Sequence, residues 1–455
     1  MNGKQLVLDT LDHKKTERIP WIPFAGVHAG SLCGYNATEI LKDADKLYKA
    51  VLEANRIYNA DGQPVLFDLQ VEAEILGCEL QWEPYSPPSV RTHPLENTDR
   101  IPCLCRLPKK TDGRIPMILD VMRRLKKEIG DRTALFGLIC GPFTLASHLR
   151  GSNIFMDMYD DEEYVKSLLS FCTKVAMVMS EYYIEAGMDV IAAVDPLVSQ
   201  ISPSHFETFL SDTYTRLFKY LKGAGVHTAF FVCGNASESI DVMCQSSPDA
   251  IFVDENVDLK RAQQTTKKYN ITIGGNIPLT SIMLHGTQQD NIKYVIDLID
   301  SLDKDNLIIA PGCDMPYHTP IENTVAASQA VQNTEAMRVS VQNYEITDDG
   351  PDVVLPDYEH LDRPLIEVFT LDSATCAACT YMMDAALIAK KEYGDKIDVK
   401  EYKFTEKENI SRVKKMGVQK LPSIYINGKL QFSSIIPRRS ELFERINEVL
   451  DGGKL

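Results

Sequence analysis

Short apolar runs alternate with longer amphipathic segments between residues 20 and 340. Such runs, flanked by helical patterns, are typical of buried strands in a parallel sheet covered on both faces. There are eight of them: IPWIPFA (19–25), PVLFDL (64–69), ALFGLIC (134–140), DVIAAVD (189–195), HTAFFVC (227–233), AIFVDE (250–255), ITIGGN (271–276) and NLIIAPGC (306–313).

Eight such units over about 320 residues fit a (β/α)8 TIM barrel better than an open sheet. The whole chain has 455 residues, which exceeds what one ordinary core supports. We therefore predict a barrel domain over residues 1–340 and at least one further domain.

The pattern changes after about residue 338. Residues 341–362 are acidic, contain Pro and Gly and lack a sustained period, which is typical of a linker. Residues 363–455 predict a small α/β domain in which Cys376-Ala377-Ala378-Cys379 begins a helix and Asn427-Gly428 turns a hairpin.

Composition narrows the class of protein. The formal net charge of −16 argues against a nucleic-acid or anionic-membrane surface. No apolar run reaches the length of a membrane span. Eleven cysteines, an odd number without a scaffold rhythm, favour a reducing cytoplasm. The sequence leaves a homodimer open.

Several residues with reactive side chains end the predicted strands. In barrels of this kind, chemistry lies at the C-terminal ends of the strands. Two thiolates with one or two O or N ligands would make a tetrahedral zinc site, whereas the alternative is that both cysteines are small buried hydrophobic residues. The strand-end residues are Cys233, Cys313, Asp68, Asp195, Asp254, Glu255 and Asn276.

The first 340 residues resemble the uroporphyrinogen decarboxylase superfamily and, within it, the cobamide-dependent methyltransferases. The resemblance rests on DLQVEAEILGC (68–78), GPFTLASHLRG (141–151), VDPLVSQISPSHFETF (194–209), FVCGNAS (231–237), FVDENVDLKRA (252–262), GGNIPLTSIMLHGT (274–287) and APGCDMPYHTPIEN (310–323). It implies a zinc ion bound by a His-x-Cys pair and a later Pro-Gly-Cys cysteine, which exchanges a methyl group with a corrinoid protein.

This chain departs from that pattern at one position. Phe231 stands where the members that use coenzyme M have the histidine. Ether-cleaving O-demethylases are similar in using a carboxylate with two cysteines, so Glu255, or Asp254 in its place, is our predicted third ligand of Cys233 and Cys313. An alternative is that the site has lost its metal.

The resemblance also assigns the remaining roles. We predict that His28 protonates a departing phenolate, that Asp195 assists catalysis, and that Asp68, Glu72 and Asn276 contact the substrate. The decarboxylases carry an N-terminal arginine motif for carboxylates, and IPWIPFAGVHAGSLCGYN has no arginine, so decarboxylation is disfavoured. No Asp-x-His-x-x-Gly corrinoid motif occurs in the barrel, which places the corrinoid on a partner protein.

The C-terminal domain resembles thioredoxins and glutaredoxins. There, Cys376 and Cys379 would form the redox dithiol and Pro422 would be the facing cis-proline. A dithiol lies at a strand-to-helix junction, where the helix dipole lowers the pKa of the first thiol.

These observations predict a zinc-dependent methyltransferase that moves a methyl group from a small methoxylated or methylated substrate to a corrinoid protein. One alternative is transfer from the methylcorrinoid to a thiol or folate. The other is a metal-free corrinoid-binding or redox protein.

Overall fold

A computed structural model describes residues 1–346, 350–373 and 377–451. The chain divides into two compact units. The first comprises Met1–Val198 and Ser202–Ile346, and the second contains the C-terminal residues. The division after Ile346 falls within the predicted linker. Within the described residues, no helix combines the length and apolar character needed to cross a membrane.

The first unit is built around a curled parallel sheet with the order β1-β4-β5-β6-β7-β8-β9. A two-stranded antiparallel pair, β2 and β3, lies in the connection between β1 and β4. The strands are β1 Gly62–Pro64, β2 Leu80–Gln81, β3 Ser89–Val90, β4 Ala134–Cys140, β5 Val190–Val194, β6 His227–Val232, β7 Ala250–Val253, β8 Thr272–Ile277 and β9 Leu307–Pro311.

The segment around Trp21 joins the two edges of this sheet. Trp21 forms a parallel bridge with Ile309, and the Ile22 N–H donates to the Ile309 carbonyl at 3.0 Å. On the other side, the Asp61 N–H donates to the Trp21 carbonyl at 3.0 Å. The arrangement is TIM-barrel-like. The predicted strand over 19–25 is wrong as a full strand, because Pro20 and Pro23 lack the N–H that a ladder requires.

Helices surround the sheet, as expected for alternating βα units. Those of the first unit are α1 Gly3–Leu11, α2 His28–Ser31, α3 Ala37–Lys42, α4 Ala44–Tyr58, α5 Val71–Ile75, α6 Ile115–Ile129, α7 Pro142–Arg150, α8 Asn153–Asp160, α9 Glu162–Glu185, α10 Pro203–His205, α11 Ser211–Gly223, α12 Ile240–Gln245, α13 Leu259–Thr266, α14 Gln288–Ser301, α15 Ile321–Gln332 and α16 Thr334–Ser340.

Side chains fill the interior of the sheet, and four phenylalanines form what we call the aromatic cluster: Phe24, Phe67, Phe231 and Phe252. The Phe24 and Phe231 ring centroids are 4.8 Å apart, and the other contacts within the cluster lie between 5.4 and 6.2 Å. Alternation along β6 directs Phe231 inward and Phe230 outward, where it stacks on Tyr214. The barrel is therefore packed with side chains below its mouth.

The second unit has the element order β-α-β-α-β-β-α. β10 pairs in parallel with β11 and antiparallel with β12, which gives the sheet order β11-β10-β12-β13. The predicted hairpin turn at Asn427-Gly428 is confirmed, and both residues have positive φ. The elements are β10 Leu365–Thr370, α17 Ala377–Tyr393, β11 Asp398–Lys403, α18 Lys407–Met416, β12 Ser423–Ile426, β13 Lys429–Ser433 and α19 Arg439–Leu450.

Candidate active site

Cys233 and Cys313 meet at the mouth of the barrel although 80 residues separate them. Cys233 directly follows β6 and Cys313 lies two residues after β9, and both pack on the aromatic cluster. Their sulfurs form a disulfide with a Cα–Cα distance of 6.2 Å, inside the ordinary range for such bonds. The structure thus brings the two predicted ligands together, as a bonded pair.

Glycines next to the cysteines make this approach possible. Gly234 has φ +92°, a conformation that side chains other than glycine rarely adopt. A Cβ on Gly312 would lie 2.3 Å from the Glu255 Oε2 atom. Gly312 is therefore needed because Glu255 lies directly against the backbone that carries Cys313.

Glu255 has an unused acceptor at this point. Its Oε1 accepts a hydrogen bond from the Leu279 N–H at 3.2 Å, while its buried Oε2 has no hydrogen-bond partner. Burial, followed by the neighbouring Asp254 carboxylate, raises the pKa of Glu255 to about 8. A buried carboxylate oxygen that lacks a donor among the described residues, next to the backbone that carries Cys313, is a position where a cation would supply the missing contact.

Asp254 and Asn276 hold the loop that carries Glu255. Asp254 accepts hydrogen bonds from the Gly234 N–H and from the Asn256 N–H, the latter at 2.9 Å. Asn276 donates from Nδ2 to the carbonyls of Asp254 and Val257, both at 2.8 Å. Of the two predicted carboxylate ligands, Glu255 is thus the one with a free acceptor. The substrate role of Asn276 stays a prediction.

Asp195 is buried and surrounded by donors. It accepts from the Phe143 N–H at 2.9 Å, the Thr144 N–H at 3.0 Å, the Thr144 hydroxyl at 2.6 Å and the Tyr214 hydroxyl. Phe143 and Thr144 lie in the first turn of α7, so Asp195 satisfies N–H groups of that turn. Burial raises its pKa to about 6. This geometry supports a positioning role, and direct catalysis by Asp195 stays a prediction.

Asp68 and Glu72 lie together near the start of α5. Asp68 forms a buried ion pair with Arg114 at 2.6 Å, and Arg114 also contacts Glu74 at 2.8 Å. The Glu72 Oε1 accepts the Cys140 N–H at 3.1 Å, and burial raises the pKa of Glu72 to about 7. Substrate binding by Asp68 and Glu72 stays a prediction.

His28 is buried with both ring nitrogens engaged. Nδ1 lies 3.0 Å from the Tyr317 carbonyl and therefore carries the proton, so Nε2 accepts from the Tyr58 hydroxyl at 2.6 Å. Burial lowers the pKa of His28 to about 4, which keeps the ring neutral. The predicted role of His28 as a proton donor remains untested, and the contacts favour fixing the loop after the first predicted strand.

Sequence reasoning missed two residues here. Asp314, directly after Cys313, has a buried Oδ1 without a hydrogen-bond partner, and burial raises its pKa. Arg114, which neutralises Asp68, lies 46 residues further along the chain. The strand-end rule could have found Asp314, whereas no pattern in the sequence indicates the pairing of Arg114.

Within residues 1–346, 350–373 and 377–451, no group of three or more His, Cys, Asp or Glu side chains is arranged to hold a metal ion. With its sulfurs joined, the pair at the mouth offers no free thiolate. A metal site would require the reduced cysteines.

The structure describes two of the three predicted redox residues of the second unit, Cys379 and Pro422. Cys379 is buried, and its Sγ accepts the Leu371 N–H at 3.3 Å. The Leu421–Pro422 peptide is cis, so the predicted cis-proline is confirmed. Cys376 lies outside the described residues. Redox activity of Cys376 and Cys379 stays a prediction.

Reactive side chains at the strand ends of a barrel are typical of enzymes with an α/β-barrel fold. The family model described as "Uroporphyrinogen decarboxylase (URO-D)" matches residues 2–334. The chain belongs to this family, which confirms the family expected from the sequence. The match ends at residue 334, before the second unit begins.

Individual relatives are more distant. The methylcobamide:CoM methyltransferase MtbA of Methanosarcina acetivorans is 27% identical over 72% of this chain and 97% of its own length. The methylated-thiol–coenzyme M methyltransferase of Methanosarcina mazei is 25% identical over 60% of this chain and 72% of its own length. A solved methyltransferase from Methanosarcina mazei has a TM-score of 0.67 at 22% identity, covering 74% of this chain and 99% of that one, which supports the barrel fold.

Proposed function

We propose that the barrel transfers a methyl group between a small substrate and the cobalt of a corrinoid protein, at a site formed by Cys233, Cys313 and Glu255. Relatives named as methylcobamide:CoM methyltransferases support corrinoid-dependent methyl transfer as the kind of reaction. The observation that carries the proposal is that Cys233 and Cys313 meet, and that the Oε2 of Glu255, unpartnered among the described residues, lies against the Gly312 backbone next to Cys313.

The donor set suits zinc once the disulfide is reduced. Two thiolates and one carboxylate oxygen make a three-ligand set with an open fourth position, the usual composition of a catalytic zinc site. The Glu255 Oε2 supports this fit, because it is buried and has no hydrogen-bond partner among the described residues. When bound, zinc would act as a Lewis acid on the heteroatom that carries the methyl group.

The chain's own residues position and shield this site. Asp254 holds the turn at Gly234, and Asn276 holds the backbone on both sides of Glu255. Cys233 and Cys313 pack against the hydrophobic core of the barrel, which contains the aromatic cluster, so the floor of the site is apolar. These contacts fix the reacting groups before the substrate arrives, which is the contribution that positioning makes to rate.

We favour a methoxylated or methylated compound as the methyl donor, with the corrinoid protein as acceptor. Phe231 occupies the position of the family histidine and lies in the aromatic cluster. The third ligand is then a carboxylate, a harder donor than imidazole, which suits activation of an ether oxygen. An apolar floor also suits a substrate with an apolar body.

A second candidate is transfer from the methylcorrinoid to a thiol. It is favoured by the printed names of the relatives, which include methylcobamide:CoM and methylated-thiol–coenzyme M methyltransferases. Both candidates use the same three ligands and differ in the molecule that occupies the fourth position.

Metal content is the first test. Protein purified under reducing conditions should bind about one zinc per chain. The variants Cys233→Ser, Cys313→Ser and Glu255→Gln should lose it, whereas Arg363→Ala, a half-exposed residue of the second unit, serves as a matched control and should keep it. Zinc absent from the reduced wild type, or retained by both cysteine variants, would contradict the proposal.

A methyl-donor screen then separates the two candidates. Methylation of a reduced corrinoid protein by a methoxylated compound, followed by the cobalt absorption spectrum, is expected for the first. Loss of the methyl group from methylcorrinoid upon addition of a thiol, without methylation by any methoxylated compound, would favour the second.

For the second unit we propose a thioredoxin-like dithiol domain. The β-α-β-α-β-β-α order, the cis peptide at Pro422 and the buried Cys379 support this proposal. Its test is insulin reduction by the full chain, compared with the Cys376→Ser and Cys379→Ser variants. Equal reduction by all three proteins would contradict dithiol activity.

A further inference from the structure

The Cys233–Cys313 disulfide is partly exposed, unlike the four cysteines in the core of the barrel. Both of its cysteines are half-buried at the mouth. The other described cysteines of the barrel that lie in its core are inert, since burial raises the pKa of each thiol above its ordinary value. These buried cysteines are Cys78, Cys140, Cys172 and Cys244.

This bond uses the two atoms on which the proposed site depends. A sulfur in a disulfide carries no thiolate charge and cannot serve as a zinc ligand or nucleophile. The Leu279 N–H donates to the Glu255 Oε1, and this contact involves neither cysteine, so we expect Glu255 to keep its position when the pair is reduced. The oxidation state of one pair of cysteines thus decides whether two sulfur ligands exist.

We propose that Cys233 and Cys313 form a reversible disulfide switch that withdraws the methyl-transfer site when oxidised and restores it when reduced. The inference rests on the proposed function, because that function defines what is switched. It also explains why a chain with a dithiol motif in its C-terminal residues would carry a disulfide at the mouth of its barrel.

The reductant is a dithiol, and the exchange balances in two steps. A donor thiolate attacks one sulfur of the pair and forms a mixed disulfide, and the other cysteine leaves as a thiolate. The second donor thiol then attacks the mixed disulfide, which releases the second cysteine and leaves the donor oxidised. Two electrons pass from the donor to the barrel pair. The donor is either the Cys376/Cys379 motif of this chain or an external dithiol.

The test uses the full chain in oxidised and reduced forms, with zinc as the probe. After treatment with oxidised glutathione, mass spectrometry of alkylated peptides should find residues 233 and 313 cross-linked, and zinc content should fall at least about tenfold. Dithiothreitol should remove the cross-link and restore zinc binding. Absence of the cross-link in the oxidised chain, or zinc retained by it, would overturn the switch.

The outcomes separate this proposal from the proposed function. A reduced chain that binds no zinc contradicts the function. A reduced chain that binds zinc, but whose oxidised form has free cysteines at both positions, contradicts the switch alone. Cys33→Ser removes a half-buried cysteine outside the pair and is the matched control, which should behave as wild type.

The source of electrons is found by comparing the oxidised wild type with a Cys376→Ser/Cys379→Ser variant, both given reduced glutathione. A cross-link that disappears at least about tenfold more slowly in the variant assigns the reductant to the chain itself. Equal rates assign it to a reductant outside the chain, and faster loss of the cross-link when reduced thioredoxin is added to the variant identifies an external dithiol.

Discussion

Asp195 and Glu255 are two carboxylates at strand ends of the same barrel, separated by one intervening strand and with opposite surroundings. Asp195, after β5, accepts hydrogen bonds from Phe143, Thr144 and Tyr214. Glu255, after β7, receives one hydrogen bond and keeps a buried oxygen without a partner. Both residues have raised pKa values and both were predicted as site residues.

The two carboxylates differ in how many of their acceptor positions are already used by hydrogen bonds. Every donor around Asp195 is already committed to it, so its oxygens stabilise the fold. The Glu255 oxygen beside Gly312 has no hydrogen-bond partner within the described part of the chain, which costs stability unless a ligand supplies the missing contact. A raised pKa alone does not distinguish a structural carboxylate from a candidate metal ligand. The number of hydrogen bonds that each carboxylate accepts does distinguish them.

Removing the Asp195 carboxylate should have the largest effect on stability. Asp195→Ala leaves buried N–H and hydroxyl donors without acceptors, which should lower the free energy of unfolding by on the order of 3 kcal/mol. Urea denaturation followed by tryptophan fluorescence reports on the barrel, because both tryptophans, Trp21 and Trp82, lie in the first unit. Asp195→Asn keeps the shape and one acceptor and should lose less. If Asp195→Ala were as stable as wild type, the structural role of Asp195, and with it the contrast with Glu255, would be contradicted.

Neutralising Glu255 should act on metal binding and spare the fold. Glu255→Gln keeps an acceptor for the Leu279 N–H, so the unfolding free energy should change by less than about 1 kcal/mol. Zinc affinity of the reduced protein should fall far enough that the purified variant keeps little zinc, because one of three protein ligands is lost, as measured by competition with a chelating dye. Unchanged affinity combined with a large loss of stability would assign Glu255 to the same structural role as Asp195.

Glu72 is an intermediate case and gives the smallest expected effect. Its pKa of about 7 in the folded chain lies above its ordinary value of 4.5, so the folded chain retains a proton that the unfolded chain releases. The resulting stability is present at low pH and is lost as pH rises from about 4.5 through 7. Glu72→Gln cannot ionise, so its stability relative to wild type should grow by about 2 kcal/mol between about pH 5 and about pH 8. Urea midpoints that run parallel with pH in the two proteins would contradict this expectation.

Much of the barrel follows from the sequence because parallel strands end at one edge. That rule alone placed Cys233 and Cys313 at a common mouth, and the structure joins them. The predicted strand over 64–69 is shorter and earlier in the structure, at Gly62–Pro64, because the chain leaves the sheet after Pro64. Boundaries of this kind depend on pairing partners that a local pattern does not contain.

The hydrogen-bond and ion-pair partners of the polar residues could not be predicted from the sequence in the same way. The donors that occupy Asp195 come from α7 and α11, and Arg114 reaches Asp68 from the start of α6. The Phe231 substitution was visible in the sequence, but its position inside the aromatic cluster was not. Such contacts join residues far apart in the chain, so they appear only when the fold brings them together.

The aromatic cluster has a kinetic consequence. Phe24, Phe67, Phe231 and Phe252 lie in the packed core against which the two cysteines lie, so we expect molecules to reach the sulfurs from the mouth. A single opening imposes an order of addition: the smaller molecule must enter before a protein partner covers the opening, and it can leave only after that partner departs. We therefore expect an excess of the partner protein to inhibit the reaction. Bound over the mouth, it would keep the small molecule from entering the site or from leaving it.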